Sequence, residues 1–185
     1  VFPGVEVGST PGVPCRRCFG LRPGAGANEG AAGARTWVGD AQVRLNREIS
    51  SQRSASGVVE LCDLRLSEFT DVNVVTALHR IAKHTHFAFR LGPTEAALLE
   101  RVRASMADFL PRDLANLAWS FASLSYHDEP LRPSISSAAI RKINQFPWQE
   151  LAMTSWSCAV LVLLDTPLIQ SISQEALRKI SDGSP

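Results

Sequence analysis

Four small polar residues, Asp113, Asn116, Ser120 and Ser123, follow one another at steps of three, four and three, the spacing that lines side chains along one stripe of a helix. Equivalent stripes lie on either side. Upstream, at an offset of 40, stand Asn73, Thr76, Arg80 and Lys83; downstream, at 37, stand Glu150, Met153, Ser157 and Val160. Helices laid side by side would place Thr76, Asn116 and Met153 in one column and Arg80, Ser120 and Ser157 in the next. Polar groups that change from repeat to repeat on one face suit base-by-base reading of a single strand of RNA. A solvated helix face carries the same residue types, so the pattern admits both readings.

Basic pairs recur at the same spacing: Arg141 and Lys142, then Arg178 and Lys179. They could neutralise successive phosphates, which would make affinity fall with salt. Equally, they are exposed helix formers near helix C-termini, where positive charge complements the helix dipole.

Other reactive groups form no set. Cys15 and Cys18 have metal or redox spacing but no second pair accompanies them, which favours a chance occurrence. The stretch from Gly24 to Gly30 misses the dinucleotide-binding spacing by one residue and follows no strand-like run, so it is rejected as a cofactor loop. His79 takes the place of Trp119 one repeat earlier and reads as a packed ring; His84 and His86 fall just past that helix. No nucleophile, base and orienting group are spaced to act together, so neither catalysis nor a cofactor is expected.

The elements that position the stripes are repeats. Phe109, Leu114, Ala115, Trp119, Ala122 and Leu124 return as Phe146, Leu151, Ala152, Trp156, Ala159 and Leu161, and Ala139-Ile-Arg-Lys-Ile143 returns 37 residues later as Ala176-Leu-Arg-Lys-Ile180. The unit is therefore a helix pair. A fainter copy opens at Phe69, with Val74, His79 and Ala82 in register. These observations predict an all-α fold, an α-solenoid of about three helical hairpins spanning 69–108, 109–145 and 146–181. Trp119 and Trp156 are expected to fill the space between repeats, with Ala115 and Ala152 allowing close approach. A Trp so buried would cost about 3–5 kcal/mol on truncation to Ala. In the last repeat Val160, Val162, Leu163 and Leu164 have no successor to cover them, so further repeats or a protein partner are expected at that end.

Nine of the twelve Gly precede Asp40, and no apolar period is sustained before position 57. Residues 1–56 are therefore expected to be disordered, with the repeat domain at 57–185. The front is Arg-rich and acid-poor although the whole chain carries only +1, the composition of an organellar transit peptide or of a low-complexity linker. A chain opening on Val1 reads as a piece of a longer protein. The longest apolar run, 159–164, is too short to cross a bilayer, so no membrane partner is expected. Four dispersed Cys suit a reducing compartment.

The strings FLPRDLANLAWSFASL (109–124) and FPWQELAMTSWSCAVL (146–161) resemble the first-helix signature of octotricopeptide-like repeats and of the leucine-rich region in FAST-kinase-domain and RAP-domain proteins, F-x-x-Q-E-L-A-N-x-x-W-A-x-A-x-L. NVVTALHRIAK (73–83) looks like an opening repeat of the same group. The resemblance covers about 69–180. It implies a non-enzymatic factor that binds single-stranded organellar RNA, in a mitochondrion or alternatively a plastid, and acts in RNA processing, stability or translation. By the same resemblance Asn116, Ser120, Met153 and Ser157 would face RNA. Met153 departs from the usual Asn, and no RAP domain is present.

Overall fold

Helices account for every regular element among the described residues, which in this computed structural model are 32–85, 91–161 and 165–183, with side chains described from 39 onward. Apart from Ala32 they belong to one compact unit, Gly33–Pro185. Cys15, Cys18, the stretch Gly24 to Gly30, His86 and Val162 to Leu164 lie outside the described residues, as does most of the expected transit segment.

The protein is all-α. Its helices are α1 (Ala32–Ser51), α2 (Ala55–Arg65), α3 (Asp71–His84), α4 (Pro93–Ser105), α5 (Pro111–Leu124), α6 (Leu131–Lys142), α7 (Trp148–Val160) and α8 (Thr166–Ser181). Short 3-10 turns at Leu66–Glu68 and Ile143–Gln145 lead into Phe69 and Phe146. α3 pairs with α4, α5 with α6 and α7 with α8. The first helices pack in chain order, α3 on α5 and α5 on α7, while α6 packs on α8.

Local sequence explains where these helices start. At α3 the Thr70 N–H donates to Asn73 Oδ1 at 3.0 Å, and at α5 the Leu110 N–H donates to Asp113 Oδ2 at 3.1 Å. Each third helical residue thus satisfies one of the backbone donors that a helix start leaves open. Pro147 has no N–H to offer at the corresponding place before α7, and Glu150 instead lies 3.9 Å from Arg112 of α5. Asp128 starts α6 by accepting the Leu131 N–H at 2.9 Å. It also accepts from Arg103 of α4 at 2.6 Å, so its buried charge is paired and two consecutive hairpins are tied together.

The core runs between the helices and is anchored at each junction by a Phe: Phe69, Phe109 and Phe146 are 3%, 1% and 0% exposed. Trp119 is half-buried, its ring centroid 4.6 Å from that of His79 on α3, as an inter-repeat position requires. Trp156 departs from expectation, being 47% exposed, and Ala152 is exposed where Ala115 is buried. Nothing among the described residues packs over that side of α7.

The front segment needs correction. α1 lies inside the stretch expected to be disordered, and its Leu45 and Ile49 are buried in the core. Gln42 Nε2 donates to the Glu68 carbonyl at 3.0 Å, and Asn73 Nδ2 donates to Asn46 Oδ1 at 3.2 Å. Arg65 of α2 pairs with Glu48 of α1 at 2.6 Å. A helix pair therefore stands ahead of the three expected hairpins. Among the described side chains of α1 only Leu45 and Ile49 are buried apolar residues, too few to register as a period.

No helix among the described residues is long and apolar enough to cross a membrane.

Candidate nucleic-acid interface

The polar stripe divides into groups that reach solvent and groups that do not. Asn73, Asp113 and Glu150 are buried and belong to the helix starts. Burial pushes the Asp113 carboxyl above its ordinary pKa, with the Leu110 N–H pulling it back. Ser120 and Ser157, expected to face RNA, are 0% and 1% exposed. Their hydroxyls donate to the carbonyls of Asn116 at 2.6 Å and Met153 at 2.7 Å. A hydroxyl satisfied one turn back in its own helix can be buried without an unpaired polar group, which is how a polar stripe comes to lie between helices.

One column retains access. Thr76, Asn116 and Met153 are half-buried, as is Ser123, and Lys83 is exposed. The Thr76 hydroxyl donates to the Val72 carbonyl at 2.7 Å, leaving its oxygen free to accept. Arg80 is half-buried, with Nη2 donating to the Gln52 carbonyl beyond α1 at 2.7 Å, so it ties the first helix pair to α3.

The basic pairs also divide. Lys142 Nζ donates to the carbonyls of Ala107 at 2.8 Å and Phe109 at 2.6 Å, clamping the chain where the second hairpin begins. Arg101 does the same one repeat earlier, to Leu66 at 2.9 Å and Phe69 at 2.7 Å. Sequence comparison missed Arg101 because it precedes Lys142 by 41 residues whereas Phe69 precedes Phe109 by 40. Arg178 forks onto Glu175, at 2.9 and 2.7 Å, and also reaches Asp182. Lys179 lies 3.5 Å from Glu175. Three of the four expected phosphate ligands are thus engaged with the protein itself, and Arg141 remains exposed.

Lys142→Ala is expected to lower the unfolding free energy by about 1–2 kcal/mol, as two charge-assisted hydrogen bonds at a half-buried site are lost. Arg141→Ala is expected to change it by less than about 0.5 kcal/mol. Urea titrations of the two variants check this; equal effects would remove the clamp from the account.

The two described cysteines, Cys62 and Cys158, are free and buried. Burial, helped by Asp63 and Glu95, pushes the Cys62 thiol up to about 12, and burial raises Cys158 as well, so neither is a thiolate at neutral pH. Among the described residues no cluster of His, Cys, Asp and Glu could hold a metal ion.

No model of a known protein family matches the chain, and no curated protein matches it.

Proposed function

We propose that this protein is a non-catalytic, RNA-binding helical-repeat factor of an organelle, mitochondrion or plastid, acting in RNA processing, stability or translation. In this reading the hairpins stack as an α-solenoid and the strand lies along the first helices. The observation that carries it is the register of α3 and α5, given by the His79 to Trp119 ring contact at 4.6 Å. In that register Thr76 would stand level with Asn116, and the 37-residue repeat would continue the line to Met153. All three are partly open. Thr and Asn can exchange hydrogen bonds with base edges and Met can lie against a base face, which suits a single strand. Of the expected set, Lys83 and Arg141 are the exposed cations without an internal bond described above; Arg80, Ser120, Ser157, Lys142, Arg178 and Lys179 are withdrawn from the contact set by their internal bonds.

Filter binding of single-stranded oligonucleotides at two salt concentrations tests the proposal. Affinity is expected to fall with salt, Lys83→Ala to reduce the salt slope by about one, and Asn116→Ala to weaken binding by about fivefold, or ~1 kcal/mol. Absence of salt-sensitive binding would overturn it in favour of a protein-interaction scaffold of the same shape. The uncharged, uncovered side of α7 favours that second reading.

A further inference from the structure

Positions that are covered in α5 and α6 are open at the same register in α7 and α8. Ala115 and Ala122 are 0% and 2% exposed, whereas Ala152 and Ala159, 37 residues on, are both exposed. Trp119 is half-buried and Trp156 is 47% exposed. Ile140 of α6 and Ile143 just after it pack against the core, and their counterparts Leu177 and Ile180 of α8 are 64% and 66% exposed. Two helices thus lose cover at matching places, the pattern left when one further layer is missing.

We propose that the open side of α7 and α8 is a stacking face for one more helical hairpin of the same register, presented by a protein partner. It continues an interface the molecule already makes twice between first helices, α3 with α5 and α5 with α7. A single helix would leave either α7 or α8 bare. A second copy fits less well: joined head to tail it would offer α1, which exposes Asp40, Arg44, Arg47 and Glu48, and these charges would be buried against an apolar face. The only charged residue of α7 is the buried Glu150, so the α7 half of the face selects for small and aliphatic side chains, while α8 carries the exposed Arg178 at its far end, paired with Glu175 and Asp182. The inference holds whether or not the Thr76 to Met153 line contacts RNA.

The test supplies such a hairpin. A copy of residues 146–181 is joined directly after Asp182, so that its opening Phe falls 37 residues beyond Phe146. Amide hydrogen exchange in α7 and α8 is expected to slow at least tenfold, and Tm to rise by about 5 °C. Unchanged exchange would overturn the proposal. Ala159→Arg in the extended chain is expected to abolish the gain while leaving the unextended chain's Tm unaltered; a gain that survives it would also overturn the assigned face. In sedimentation the unextended chain is expected to be a monomer. A dimer dispersed by Ala159→Arg would give the face to a second copy instead.

Discussion

Phe146→Ala is expected to lower the unfolding free energy by about 3–5 kcal/mol, the range for truncating a fully buried aromatic ring. Its side chain is 0% exposed and stands where the 3-10 turn Ile143–Gln145 hands over to α7, with its N–H held by the Ile143 carbonyl at 3.1 Å. Helices packed in series on both sides leave little freedom for the cavity to collapse, and a cavity that persists adds to the lost transfer energy. Against a total of roughly 5–15 kcal/mol for a domain, such a loss would leave the variant close to unfolding. Trp156→Ala offers the contrast. With 47% of its surface in water, Trp156 is expected to cost about half as much, ~1–2 kcal/mol, despite being the larger ring. Urea titrations of both variants decide the order, and a Phe146→Ala midpoint equal to that of the parent would remove Phe146 as the anchor.

That order could not be read from the repeat alone. The spacing from Phe109 to Phe146 marks both the Phe and the Trp as recurrent, and recurrence does not say which of them is enclosed. The helices themselves were legible: Pro111 and Leu124 bound α5 as the breakers and the apolar period predict, because those signals act within a few residues. What escaped depends on distant parts of the chain. Serines on a polar stripe look the same whether the stripe faces water or a neighbouring helix, since each hydroxyl is satisfied by its own helix. Lys142 and Arg101 reach carbonyls more than 30 residues away through flexible stems, and nothing local to them records it. α1 escaped for a different reason. Leu45 and Ile49 are a minimal stripe at the edge of a Gly-rich segment, and their burial follows from tertiary bonds through Gln42 and Asn46 to residues 68 and 73.

His79 makes the same interface sensitive to acid. Burial, with Lys83 and Arg80 adding repulsion, lowers its pKa from the ordinary value of 6.5 to about 4. The sign of the consequence follows from proton counting. Between pH 4 and 6.5 the unfolded chain binds a proton on His79 that the folded chain excludes, and stability therefore rises with pH across that window. The contribution is complete above pH 6.5 and is lost as pH falls through 4. Between pH 7 and pH 4.5 His79 alone is expected to remove about 2 to 3 kcal/mol. His79→Phe keeps a ring against Trp119 and has no proton to gain, so the variant should lose that much less on acidification. Carboxylates contribute their own pH dependence to both proteins; Asp113, with its raised pKa, acts in the opposite direction. The difference between the two stability curves cancels these terms. Parallel curves from pH 7 to pH 4.5 would show that His79 takes up its proton freely in the folded state, and the packed contact with Trp119 would then have to be open to water.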